Sequence, residues 1–325
     1  MALKLGLFLD LRNPPPWERP WVTHVAQTIE RVVAAERDGI DAVWLSEHHQ
    51  FSDGYLPQPL AFACALAART ERIRIGTAIM IAPLHQPAHL AEQAALADII
   101  SNGRIEVGLG TGYAPHEFAL FGQSLDARYG RTDKALAELR RLLDEGVVTP
   151  RAVQRPFPIW AGYQGPQGAA RAGRLGVGLL SLDRTNAAIY SEALEASGHG
   201  AASARLGGVV DLIVCDDPEQ TKQRLLPYLA WQRHTYREAR GAGAGTYEET
   251  LAALGERLAL KGELPGFAVC TAADATALLK ARTDGLPVEH VYLWASLAGM
   301  PDDMVDRHLD LVTTQVGPAL STKTV

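Results

Sequence analysis

Three titratable side chains in a row, Glu47, His48 and His49, follow the short apolar run Ala42–Leu45. An apolar strand that runs straight into such a cluster ends either in a solvated loop or at the rim of an active site. Imidazole gives and takes a proton near neutral pH, with an ordinary value of about 6.5, which is the behaviour general acid–base catalysis needs. Adjacent residues on an extended chain point to opposite sides. If Leu45 packs into the wall and His48 faces inward, His49 faces away and serves as a structural hydrogen-bonder. Glu47 then caps the loop or bonds a neighbouring backbone. The same alternation argues against a chelating His48–His49 pair. His85 and His89 are spaced i, i+4, but Pro87 lies between them and His85 precedes the helix, so no metal site is expected. No Ser/Cys–His–Asp arrangement stands out.

Two glycine-rich stretches follow other apolar runs. "AGYQGPQG" at 161–168 contains Gly162, Tyr163, Gln164, Gly165, Gln167 and Gly168. Small residues between a strand and a helix let backbone N–H groups approach an anion, and a helix starting near Pro166–Gly168 adds its positive end. The stretch is either a phosphate loop or a plain tight turn. "GLGTGY" at 108–113, with Gly110 and Thr111 at its centre, is G-x-G-x-G rather than G-x-G-x-x-G. No helix with an acidic residue about 20 positions on completes a dinucleotide-binding unit, so that reading is rejected.

The elements that must position these residues alternate. Strands are expected at Leu3–Leu9, Ala42–Leu45, Ile73–Ile81, Ile105–Leu109, Pro158–Gly162, Val177–Ser181, Gly208–Cys215 and Glu289–Trp294, nearly every one followed by an amphipathic helix. Strict alternation implies a parallel sheet covered by helices. Eight units in 325 residues is the count of a closed (β/α)8 TIM barrel, with an open doubly wound sheet as the rival. Residues 217–284 are too long for one helix. They read as a helical insertion between strands seven and eight, with a mobile loop at "GAGAG" (241–245), inside a single domain spanning 1–325. In a parallel barrel, ligands sit at the carboxyl ends of the strands. Asp10, the Glu47–His49 cluster, the two glycine-rich loops and Trp294 all fall there.

Composition sets the remaining bounds. The chain is 47% hydrophobic with a net charge of −6, an ordinary globular balance. No basic–aromatic interleaving suggests nucleic acid. No apolar run approaches the roughly 20 residues of a membrane span, and the first residues are too short for a secretory signal. Cys64, Cys215 and Cys270 lie far apart in apolar contexts and read as reduced thiols of a cytoplasmic protein.

Taken together, the motifs resemble those of the bacterial luciferase-like flavin monooxygenases. The carriers are "SEHHQ" after strand two, "RIRIGTAIMIAPLHQPAHLAEQAALADIISNGRIEVGLGTGY" over strands three and four, "EFALFG" after them and "PIWAGYQGPQGAARAGRLGVGLL" at 158–180. The likeness is close over 1–145 and thin after 180. It implies a (β/α)8 barrel that binds reduced FMN, activates O₂ as a C4a-peroxyflavin and oxygenates a small organic substrate. A separate reductase would supply the FMNH₂, and the chain would form a homo-oligomer such as a dimer. His48 then matches the catalytic histidine. Thr77 and Ala78 match a pair joined by a non-proline cis peptide, Gly110 and Thr111 lie near the flavin, and 162–168 forms the phosphate loop. Thr111 stands where the luciferases carry a phosphate-binding arginine, and Arg128 or Arg131 would supply that charge. The connection at 146–157 is shorter than usual, which puts the lid over the site in doubt. Relatives that use the deazaflavin F420 more often show Asp-His after strand two, so Glu-His-His favours FMN over F420. A non-catalytic flavin-binding barrel is a further alternative, against which the intact His48 argues. The substrate is not named by any motif.

Overall fold

A computed structural model describes residues 3–321 apart from 242 and 244. The strands, in chain order, are β1 (Lys4–Leu9), β2 (Ala42–Leu45), β3 (Arg74–Thr77), β4 (Met80–Ile81), β5 (Ile105–Gly110), β6 (Ile159–Ala161), β7 (Gly178–Leu180), β8 (Leu206–Val210), β9 (Leu212–Val214), β10 (Ala268–Cys270) and β11 (Val288–Trp294). All barrel pairings are parallel, in the order β3-β2-β1-β11-β8-β7-β6-β5-β4, and β3 also pairs with β5. That last pairing closes the sheet. β3 and β4 share one position in the wall, which leaves the eight positions of a (β/α)8 barrel.

The helices are α1 (Trp21–Arg37), α2 (Pro59–Ala67), α3 (Pro87–Ile100), α4 (Pro115–Leu120), α5 (Arg128–Asp144), α6 (Gly165–Leu175), α7 (Arg184–Ala196), α8 (Pro218–Arg240), α9 (Tyr247–Lys261), α10 (Ala272–Thr283), α11 (Asp302–Leu311) and α12 (Gly317–Ser321). Alternation of strand and helix buries both faces of the sheet, so its strands read as continuous apolar runs. Their starts follow local chemistry. Asp217 caps α8 by accepting from the Gln220 N–H at 3.0 Å. Thr246 and Glu249 form a reciprocal capping box at α9. No helix among the described residues is long and apolar enough to cross a membrane.

The barrel interior is filled by indoles packed against glycines. The rings of Trp44 and Trp160 meet edge-on at 5.8 Å, and Trp44 stacks on Tyr292 at 5.1 Å. A Cβ on Gly76 would lie 2.5 Å from Trp44, and one on Gly178 2.3 Å from Trp160. Toward the amino-terminal ends of the strands, Glu106 pairs with Arg74, accepts from Trp160 Nε1 at 2.6 Å and lies 3.1 Å from His290. Glu289 pairs with Lys4 at 2.7 Å. Burial alone would raise Glu106, but His290 and Arg74 hold it well below the usual carboxylate range.

The structure corrects three expectations. The third strand is interrupted at Ala78-Ile79, where a non-proline cis bond lies one peptide further on than the expected Thr77–Ala78. The seventh strand starts two residues early and breaks at Asp211. Its continuation, β9, leaves the barrel wall to pair with β10, a strand not foreseen inside 217–284. In the expected mobile loop, residues 242 and 244 lie outside those described.

Candidate active site

The loop after β2 is pinned by its own backbone. Glu47 N–H donates to the Ile79 carbonyl at 3.0 Å and His48 N–H to that of Leu56 at 3.2 Å. The Glu47 carboxylate is wholly buried and shared. Oε1 meets His49 Nε2 and His85 Nε2, both at 2.8 Å, and Oε2 accepts the Ile81 N–H at 2.6 Å. Burial by itself would raise this carboxyl; the bonds from His49, His85 and Ile81 outweigh it and bring Glu47 down to about 2. The residue therefore ties the β2 loop to the β3–β4 break and to the segment before α3. His49 is turned away from the barrel axis into this network.

His48 points the other way. Its Nδ1 lies 2.7 Å from Glu117 Oε1, which also accepts the His49 N–H at 2.8 Å. An oxygen that already accepts one N–H takes its second bond as an acceptor, so Nδ1 carries the proton and Nε2 is the basic atom. No other hydrogen bond reaches the His48 ring among the described residues. The ring sits in an aromatic cage of Phe51 and Tyr55 at 4.6 Å, Tyr113 at 5.4 Å and Tyr236 at 5.9 Å. Glu117 comes from the first turn of α4, a helix the sequence analysis did not foresee.

Beside this cage lies a cavity of about 950 Å³ at the carboxyl ends of the strands. Its walls include Phe8, Ala78, Tyr113, Gln164, Tyr236 and Trp294, and further residues of α8 and α9 complete the lining. His48 stands one ring behind the cavity, next to Tyr113 and Tyr236. The Tyr113 hydroxyl is buried without a partner among the described residues, and burial raises its pKa well above the tyrosine range.

The expected cofactor residues divide. Ala78 and Gln164 line the cavity. Thr77 is buried, and its hydroxyl exchanges bonds with Gly108 O and N at 3.0 and 2.9 Å, which leaves its side chain turned into the strand pair. Gly110 and Gly162 face the Ile79 side chain so closely that a Cβ would come within 2.7 and 2.2 Å of it. Thr111 Oγ1 donates to the Gly112 carbonyl at 3.3 Å. α6 begins at Gly165, whose φ of +69° suits glycine and whose missing Cβ faces open space. Gln164 is the residue before that helix and Gln167 is exposed in its first turn, whereas Gly168 is needed for packing, since a Cβ there would lie 2.6 Å from that of Tyr163. Tyr163 is buried and donates its hydroxyl to Asp133, which also pairs with Arg171. Arg128 lies over the Tyr129 ring at 4.9 Å with Nε unpartnered among the described residues. Arg131 is engaged by the carbonyls of Ser124 and Pro83. These placements fit a flavin phosphate. Open N–H groups at the α6 start lie beside the α5 start, where Arg171 reaches the same Tyr129 ring as Arg128, at 5.7 Å. The group of potential metal ligands, Glu106, Glu289 and His290, is already balanced by Arg74 and Lys4.

A second buried network was missed. Arg12 is wholly buried and pairs with Asp53 at 2.6 Å. It also reaches Thr235 of α8 and lies within 5.3 Å of the Tyr55 and Tyr236 rings. Trp231 Nε1 donates to Asp53 at 2.8 Å, and the Tyr55 and Tyr236 hydroxyls are 2.8 Å apart. Burial pushes Asp10 up to about 6 against the pull of Arg12. This network fastens α8 onto the rim. "DLR" after the first strand was its visible signal, of which only Asp10 was singled out.

A family model described as luciferase-like monooxygenase matches residues 3–277, and the chain belongs to that family. It is 29% identical over 186 residues to an F420-dependent glucose-6-phosphate dehydrogenase of Amycolatopsis mediterranei, covering 51% of this chain and 56% of that protein. It is 37% identical over 101 residues to the oxygenase component of a flavin-dependent trigonelline monooxygenase of Acinetobacter baylyi, covering 31% and 28%. The monooxygenase RslO1 of Streptomyces bottropensis superposes with a TM-score of 0.76 at 24% identity, over 98% of this chain and 99% of that one. The chain spans about half the length of the first curated relatives it matches.

Proposed function

We propose that this chain is the oxygenase of a two-component flavin monooxygenase. It binds reduced FMN delivered by a separate reductase and oxygenates a small organic substrate with O₂. The observation that carries the reading is the His48–Glu117 pair held against Tyr113 beside a cavity on the ligand-bearing rim. Reduced FMN would supply the electrons and the site of oxygen activation. Ala78, Ile79, Gly110 and Gly162 would form the surface against its ring system. The N–H groups at 164–168 with Arg128 would hold its phosphate. Glu117 fixes the His48 tautomer, so that Nε2 is the atom left to take or give a proton. The aromatic cage excludes water from that exchange.

A second reading is hydride transfer with F420, favoured by the similarity of half of the chain to an F420-dependent dehydrogenase. Anaerobic titration of the protein with FMNH₂ and with F420H₂, followed by admission of O₂, separates the two. The oxygenase reading expects FMNH₂ to bind more tightly than oxidised FMN and oxygen to be consumed. Tight F420H₂ binding with no oxygen uptake overturns it, as does rapid NADPH oxidation by the protein alone.

A further inference from the structure

Four arginines, Arg233, Arg237 and Arg240 of α8 and Arg257 of α9, line the cavity, and no aspartate or glutamate does. This is unusual for a chain of net charge −6. Arginines elsewhere are widely paired: Arg12, Arg19, Arg31, Arg74, Arg171 and Arg307 all meet carboxylates. None of the four forms an ion pair among the described residues. Arg233 donates to the Pro265 carbonyl and Arg237 to Thr250 Oγ1. Arg240 lies over the Tyr113 ring at 5.5 Å. Burial and the neighbouring charges of Arg237 and Arg257 both disfavour the charge on Arg233, and the nearby Asp211 only partly offsets them. That carboxylate is already taken by Trp294 Nε1 at 2.7 Å.

Like charges held together without a counter-ion cost free energy in the empty protein, and a ligand anion relieves it. A cleft lined by one sign of charge also concentrates ligands of the other, and guanidinium forks match carboxylate, sulfonate or phosphate oxygens. The rest of the lining includes apolar side chains, Phe8, Ala78 and Trp294 from the barrel rim and Leu254 of α9. We infer that the substrate is an organic anion, with an aromatic or aliphatic body against Phe8 and Trp294 and its acidic group among the arginines of α8 and α9. The inference rests on the oxygenase reading proposed above, with the substrate in the part of the cavity lined by α8 and α9. It names the class of substrate that the reading leaves open.

Two fluorescent probes test it. 8-Anilinonaphthalene-1-sulfonate and N-phenyl-1-naphthylamine share one aromatic body and differ by the sulfonate. The sulfonated probe is expected to bind at least tenfold more tightly at low salt, and its affinity to fall with salt while that of the neutral probe does not. The double variant Arg237→Gln/Arg257→Gln should weaken the sulfonate at least tenfold and leave the neutral probe within twofold, which also reports that the cavity is still folded. Equal affinities for the two probes, or equal losses in the variant, overturn the inference. In parallel, FMN and riboflavin are titrated against both proteins. A preference for FMN over riboflavin that collapses in the double variant assigns the arginines to the cofactor phosphate and overturns the inference, while the flavin reading stands. If the parent protein binds neither flavin in the oxidised or the reduced state, the flavin reading fails and the probe ratio still decides the anion question.

Discussion

Glu47→Gln isolates the charge at the hub of the β2 loop. The carboxyl is held near 2 against an ordinary 4.5, with its side chain fully buried. Each unit is worth about 1.36 kcal/mol, so the folded state favours the ionised form by about 3 kcal/mol at neutral pH. The amide resembles the protonated acid and forfeits that preference. Because the folded value is the lower one, the stabilisation is complete above pH 4.5 and is lost as the pH falls toward 2. Linkage gives a gap of about 3 kcal/mol at pH 7 that narrows to less than half of that at pH 3. For a chain of this size the neutral gap corresponds to a Tm lower by about 5 °C. Urea unfolding followed by tryptophan fluorescence at pH 7, 4 and 3 measures it. A variant within 1 kcal/mol of the parent at pH 7, or a gap that does not narrow with acid, refutes the reasoning.

His48→Ala is expected to keep FMNH₂ binding but lose product formation by about 100-fold or more, with H₂O₂ released instead, whereas His49→Ala lowers Tm more than turnover; coupled oxygen-uptake and product assays compare them. Gly165→Val puts a β-branched side chain at φ +69° where the phosphate loop starts, and should weaken FMN more than riboflavin, as equilibrium titration will show. Gly178→Ala drives a methyl to 2.3 Å from the Trp160 ring and should cost roughly 1–3 kcal/mol as overpacking, read from the urea midpoint. His308 is buried, accepts the Val214 N–H at 2.9 Å and faces the Trp294 carbonyl at 2.9 Å, and burial lowers it to about 4. The unfolded chain therefore takes up this proton first, and stability should fall by about 3 kcal/mol between pH 6.5 and 4, a slope that His308→Gln should flatten in the same unfolding series.

The barrel was legible because short apolar runs alternate with amphipathic stretches, several of them closed by a glycine such as Gly39, Gly103 or Gly146. The break at Ala78-Ile79 was not, since "TAIMI" at 77–81 carries no proline or glycine to mark it and the interruption comes with the closure of β3 onto β5. β10 escaped notice because three residues inside a helical segment carry no periodicity. The separate partners of His48 and His49, Glu117 and Glu47, agree with strand alternation. Their acidic partners were only half visible. Glu47 is adjacent in sequence, but Glu117 lies 69 residues from His48 and reaches it by folding alone. His85 was weighed as a chelator with His89; it instead donates to Glu47, a contact that no local spacing encodes.

The segment from β9 through α10 leaves the wall after β8 and returns to it at β11, two strands that are hydrogen-bonded neighbours. It carries every arginine of the cavity, while the His48–Glu117 pair belongs to the opposite arc of the barrel. On the proposed reading, proton handling and ligand selection are encoded in separable stretches of one gene. A lineage could exchange the selecting stretch by recombination and inherit the chemistry unchanged, provided the newcomer kept the side chains that latch onto Arg12, Asp53 and Tyr55. Protein engineers could make the same exchange, with residues 212–286 as the interchangeable part and Trp231, Thr235 and Tyr236 as its fasteners.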